Sequence, residues 1–259
     1  MEVITPAWPA PRAVRAAFTL RRGGVSEPPF DTLNLGLHTG DSLHAVRENR
    51  RRVRETLELP AEPAWLNQVH GAEVVRLGMT ATRDPEAQPP VADATVTSEP
   101  GRVCAIQVAD CIPVLLTARD GSAVSAAHVG WRGLAAGVLE AAVGALGVET
   151  STVIAWLGPG IGAPHFEVGD EVRAALLGTC QARPGAARAT PGASAAFVRN
   201  AHGRWQCDLS ALARIRLAAL GVCEVYGGSW CTYADAARFF SYRRDGRCGR
   251  MAALIWIER

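Results

Sequence analysis

The 259-residue chain contains no lysine; all 27 of its Lys+Arg residues are arginine. That absence excludes Schiff-base aldolase chemistry, pyridoxal-phosphate catalysis and a phosphate-binding P-loop Lys. Anion binding survives, because Arg grips phosphate and carboxylate bidentately. Cys-x-x-Cys spacing is also missing, and the cysteine count is odd, at seven. This argues against a disulfide framework or a zinc knuckle, and for buried thiols in a reduced cytoplasmic setting. No apolar run approaches the ~18 residues of a membrane span. The opening Met1-Glu2-Val3-Ile4-Thr5-Pro6 has no basic region leading into an apolar one, so no secretory signal is expected. Net charge is only +2, so no overall field draws the chain to nucleic acid or an anionic membrane. Histidine is scarce, at six, without a His-x-His pair.

What is present is an ordinary globular composition, 48% hydrophobic and 20% charged. Val14 to Leu20 reads as a strand followed by a turn at Arg22-Gly23-Gly24. Asp41 is the expected N-cap of a helix that buries Leu43, Val46, Val53 and Leu57 and stops at Pro60. Trp65–Val69 and Glu73–Leu77 flank His70-Gly71 as if at a hairpin tip. Short apolar strands follow at 94–98, 103–108, 112–117 and 123–129, with a hairpin turn at Asp120-Gly121. A small-residue helix is expected over 133–146, a strand over 152–157, and helices from near Asp170 and after an Asp208 cap. Residues 181–196 read as a mobile Ala/Gly/Pro-rich loop, and 222–226 and 251–257 as closing strands. The pattern predicts an α+β fold: mixed or antiparallel sheets with flanking helices, in a single compact domain over residues 1–259.

Two histidines stand out at strand ends: His70 before a glycine, and His128 before Val129-Gly130-Trp131-Arg132-Gly133. Between them Asp110-Cys111 interrupts two apolar runs. A carboxylate and a thiol there need partners, since an unpaired buried charge costs several kcal/mol. Imidazole, thiol and imidazole could converge on one Zn²⁺ with a fourth position open, the general form of a catalytic zinc site that lowers the pKa of bound water to about 7. Spacings of 41 and 17 residues encode no regular motif, so two other readings stay open: a Cys111 nucleophile with His128 as base, and plain burial. Gly158-Pro159-Gly160-Ile161-Gly162 reads as a tight turn rather than a phosphate cradle. Arg243-Arg244-Asp245-Gly246-Arg247 reads as an exposed basic hairpin too short and too mixed in charge for nucleic acid.

Asn67-Gln68-Val69-His70-Gly71, Ala109-Asp110-Cys111-Ile112-Pro113-Val114 and His128-Val129-Gly130-Trp131-Arg132-Gly133 closely resemble the YfiH-type family, variously called polyphenol oxidase, laccase-domain protein and purine nucleoside phosphorylase. The stretches 18–26, 33–36, 231–233 and 238–246 resemble its opening and close, so the likeness covers nearly the whole chain. Leu20 and Cys248 depart from it, where Thr is frequent. The resemblance implies a zinc-dependent α+β enzyme, usually monomeric, with His70, Cys111 and His128 as metal ligands and catalytic residues. It implies phosphorolysis of adenosine, inosine, guanosine and methylthioadenosine, and hydrolytic deamination of adenosine. Editing of peptidoglycan precursors is a second role attributed to some members.

The expected small-molecule partners are then a nucleoside and phosphate. Arg50 and Arg132 are the phosphate candidates, and Asn34 and Gln68 the ribose candidates. Asp110 is expected to orient a ligand from behind it, with general-base work as its lesser role. Oxidation fits poorly: six histidines cannot furnish several coppers, and Met79 and Met251 bear no evident relation to the three ligands as a distant axial donor would. Zinc is therefore favoured, although copper could displace it by affinity order.

Overall fold

The computed structural model describes residues 1–78, 88–181 and 192–258. Most of the segment expected as a mobile loop, and Met79, lie outside the described residues.

One sheet has the order β1 (Val3–Ile4), β2 (Val14–Thr19), β13 (Met251–Ile257) and β5 (Val103–Val108). All its pairings are antiparallel. A second, mixed sheet has the order β12 (Glu224–Gly227), β8 (Val153–Leu157), β6 (Ile112–Ala118), β7 (Val124–Val129), β4 (Ala94–Thr97) and β3 (Val74–Arg76). Its outer pairs β12–β8 and β3–β4 are parallel. A small third sheet joins β10 (Phe197–Arg199), β11 (Trp205–Cys207) and β9 (Glu167–Val168). The helices are α1 (Leu43–Thr56), α2 (Trp131–Ala136), α3 (Val138–Leu146), α4 (Asp170–Gln181), α5 (Leu209–Ala219) and the short α6 (Tyr242–Asp245). This is the expected α+β class.

The two large sheets pack face to face, and period-two alternation decides which core each side chain enters. Along β13, Met251, Ala253, Ile255 and Ile257 join Phe18, Ile106, Leu115, Ala126 and Trp156 between the sheets. The intervening Ala252, Leu254 and Trp256 face the other way, onto Val53 of α1 with Leu33, Leu35 and Trp65. The far side of the second sheet packs on α2, α3 and α5 through Leu134, Leu139, Ala142, Leu212 and Leu217. The layers run helix, sheet, sheet, helix.

Several local expectations are corrected. The cap of α1 is Ser42, whose hydroxyl accepts from Ala45 N–H. Asp41 is occupied elsewhere, accepting from Ser26 Oγ (2.6 Å) and Asn34 Nδ2 (2.9 Å). The helix ends at Thr56, before Pro60, and Leu43 is exposed. Its buried face includes Asn49, which donates to Ser26, Thr32 and Asn34 and accepts from Val25 N–H, tying the 24–34 loop to the helix. The expected 133–146 helix is two helices, broken where Gly137 adopts φ +93°. Residues 65–69 form no strand, and β3 pairs parallel with β4, so His70-Gly71 is not a hairpin tip. The basic 243–247 segment is not a hairpin but runs from α6, capped by Ser241.

Candidate metal centre

The site lies where the chain crosses from one large sheet to the other. Leaving β5 at Val108, it must turn sharply to enter β6 at Ile112, and Asp110 takes φ +92° to do so. Such a conformation costs a non-glycine residue about 1–3 kcal/mol and persists only where its surroundings hold it. Asp110 is held at three points. Its Oδ1 accepts from Thr232 Oγ1 (2.6 Å), its Oδ2 from the Arg243 N–H (2.7 Å), and its carbonyl from the Ile161 N–H (2.8 Å). The turn thereby presents Cys111.

His70 too is in the left-handed region, at φ +62°. Its loop is gathered by Asp93, a fully buried residue just before β4. Asp93 Oδ1 accepts from the His70 N–H (2.9 Å), and Oδ2 from those of Val69 (3.1 Å) and Gly71 (2.6 Å). The same Oδ1 lies 2.8 Å from His128 Nδ1. His128, near the end of β7, is buried, and its own N–H donates to the Asp93 carbonyl (2.7 Å).

These two devices bring the three candidate ligands together. One donor atom each from His70, Cys111 and His128 lies within 4.8 Å of the others. His70 Nε2 is 3.9 Å from Cys111 Sγ, and the imidazole centroids are 4.7 Å apart, edge to face. His70 is exposed and Cys111 half-buried, so solvent reaches one side of the cluster. Gly130 backs the other side: a Cβ there would stand 2.8 Å from Cys111 Sγ and 3.1 Å from His70 Cδ2.

The electrostatics are those of a metal-competent thiol. Burial alone would raise the Cys111 pKa, yet the neighbouring His128 and His70 pull it down to about 6. Burial would also lower His128, but the Cys111 charge and the Asp93 hydrogen bond lift it to about 9. Cys104, buried without such partners, is pushed up to about 12. Burial opposes ionisation of Asp93 too, but its bonds from His128 and the loop amides leave its pKa lowered.

The remaining predicted site residues fall into two groups. Burial lowers the His38 pKa, and the charges of Arg250, Arg50 and His128 lower it further. The Arg50 guanidinium stacks over Trp65 at 4.1 Å and donates through Nε and Nη2 to the Leu35 carbonyl. Arg132 is exposed, 4.3 Å over the ring of its neighbour Trp131.

Asn34 and Gln68 are framework residues. Asn34 is fully buried; its Oδ1 accepts from the Gly36 and Arg250 N–H groups, and its Nδ2 donates to Thr39 and Asp41. Gln68 makes a reciprocal 2.8 Å pair with the backbone of Gln107, extending the β5 ladder with a side chain. Both side-chain amides are engaged with neighbouring groups of the chain. Asp110 acts behind Cys111 as a turn anchor, while the carboxylate on an imidazole is Asp93, which sequence reasoning missed. Its signal was a lone acid inside the apolar run Val91-Ala92-Asp93-Ala94.

Fold and site together define an α+β protein carrying a solvent-accessible His-Cys-His cluster suited to a metal. Residues 15–258 match the family described as multi-copper polyphenol oxidoreductase laccase, and the chain belongs to that family. It is 51% identical over 259 residues to purine nucleoside phosphorylase PA4543 of Pseudomonas aeruginosa, covering 98% of each chain. It is 47% identical over 257 residues to purine nucleoside phosphorylase YfiH of Escherichia coli, covering 99% of each. Among solved structures, Neisseria meningitidis NMB0706 matches with a TM-score of 0.89 and 44% identity over 100% of both chains. YlmD of Geobacillus stearothermophilus matches with a TM-score of 0.85 and 32% identity, over 96% of this chain and 93% of that one.

Proposed function

We propose that this chain is a zinc-dependent purine nucleoside phosphorylase that also deaminates adenosine, working as a cytoplasmic monomer with residues 1–259 as one domain. The observation that carries the reading is the convergence of His70, Cys111 and His128. The names of the relatives from P. aeruginosa and E. coli support the substrate class. The residues fit the metal: two imidazoles and a thiol held toward its ionised form are a borderline-soft set suited to zinc. When bound there, the ion supplies positive charge where an oxyanion or leaving group develops.

The chain's own groups supply the rest. Asp93 fixes both histidines, and the Asp110 turn fixes the thiol. Arg50 and Arg250, which both act on His38, provide the positive potential that a phosphate dianion requires. Exposed His70 leaves the cluster open to a small molecule. No helix among the described residues is long and apolar enough to cross a membrane.

The copper chemistry in the family description needs several metal centres, whereas the described residues contain one three-ligand group. Copper binding at that one group is a matter of affinity order rather than of design. Incubating the zinc-loaded protein with adenosine, with and without phosphate, tests the reading. Ribose-1-phosphate and adenine report phosphorolysis, and inosine reports deamination. If neither forms from any purine nucleoside, the reading is wrong, and a peptidoglycan precursor carrying L-Ser in place of L-Ala is the next substrate to assay.

A further inference from the structure

The carboxylate of Asp93 lies behind the cluster, against His128 Nδ1 and the His70 loop, without being one of its ligands. It is fully buried; among the described residues it accepts from the N–H groups of Val69, His70 and Gly71, and its Oδ1 lies 2.8 Å from His128 Nδ1. An ionised carboxylate only accepts, so the imidazole facing it must carry its proton on Nδ1. In the neutral ring the lone pair is then on Nε2, the nitrogen left for the ligand cluster. The same two oxygens hold the three successive amides that fold the loop around His70 into its φ +62° conformation. One side chain thus sets the tautomer of one ligand and the backbone position of another, while its main-chain carbonyl holds the His128 N–H.

We infer that Asp93 is the positioning residue of the metal centre, fixing His128 as its Nδ1–H tautomer and locking the His70 loop at ligand distance. The inference rests on the zinc-site reading above. Asparagine has nearly the same shape but must place an NH₂ among donors. With the NH₂ at the Oδ2 position it faces the Val69 and Gly71 N–H groups and releases the loop; at the Oδ1 position it faces the His70 N–H and demands an acceptor at His128 Nδ1, which puts the proton on Nε2 and removes a ligand lone pair.

Two measurements test this. Competition with a chromogenic chelator gives zinc affinities for the wild type and Asp93→Asn, with thermal unfolding of the metal-free forms alongside. The variant is expected to bind zinc about ten- to hundredfold more weakly. A long-range ¹H–¹⁵N imidazole spectrum of the wild type, at a pH where the ring is neutral, is expected to show His128 protonated on Nδ1. A spectrum showing His128 protonated on Nε2 would overturn the inference, as would an Asp93→Asn protein binding zinc as tightly as wild type. Should Asp93→Asn fail to fold, the wild-type spectrum decides. If the wild type itself binds no zinc, the metal reading fails, and the metal-free spectrum still tests the Asp93 contact.

Discussion

Gly130 offers a perturbation that reaches the cluster without touching a ligand. Its backbone is extended, at φ −86° and ψ 169°, so alanine is conformationally acceptable there. The whole effect of Gly130→Ala comes from one methyl group placed 2.8 Å from Cys111 Sγ and 3.1 Å from His70 Cδ2. Contact between such atoms is comfortable near ~3.5 Å, so the thiol must retreat by roughly 0.7 Å. Metal–ligand distances tolerate only about ±0.2 Å. Cys111 cannot retreat freely, because Asp110 is fastened to Thr232, Arg243 and Ile161. The expected result is a zinc affinity about ten- to hundredfold lower, the range seen when the surroundings of a ligand are disturbed, with nucleoside turnover falling in step. Overpacking should cost the metal-free fold about 1–3 kcal/mol. Chelator competition, turnover at saturating zinc and thermal unfolding separate these effects. A Gly130→Ala protein with wild-type zinc affinity would refute the claim that this glycine is there to admit the thiol.

Other consequences follow from the same geometry. In metal-free protein, Cys111 should become reactive to iodoacetamide as pH rises through about 6, below the ordinary thiol value of 9.0, because a lowered pKa moves the thiolate population to lower pH; mass spectrometry finding reaction only near pH 9 would remove the thiolate–imidazolium pairing. Arg50→Gln should raise the phosphate KM about tenfold or more, the equivalent of one charged hydrogen bond, while zinc content stays unchanged; an unchanged phosphate KM would take Arg50 out of the phosphate site. Leu115→Ala, deep between the two large sheets, should cost about 2–5 kcal/mol in denaturant unfolding, and a loss below 1 kcal/mol would contradict the face-to-face packing.

Where one local signal decided the outcome, the sequence was legible. Apolar strands such as β13 and β6 formed as expected, and Asp208 caps α5 by accepting from the Ala211 N–H. Competition between near-equals defeated the reading elsewhere. Asp41 and Ser42 are both good caps, and the choice went to Ser42 because Asn34 and Ser26 claim the Asp41 carboxylate. The run around His70 alternates like a hairpin, but the buried Asp93 captures three of its amides and turns the chain into a parallel edge pairing. The choice between Asp110 and Asp93 as the carboxylate behind an imidazole was invisible for a similar reason. Separations of 18 and 35 residues from His128 say nothing until β4 and β7 are paired. Only the register that sets Ala94 against Ala127 puts Asp93 beside His128. The hydrogen bonds of Asn34 and Gln68 were likewise invisible, because a polar side chain reads the same in sequence whether it faces outward or fastens a loop.

Metal analysis of wild-type protein and Cys111→Ala, both purified without added copper and assayed with adenosine, bears most directly on the centre itself. The wild type should carry about one zinc per chain and turn over nucleoside, and the variant should have lost both. A Cys111→Ala protein that keeps its zinc and its full activity would show that the ion, if any, is held somewhere else.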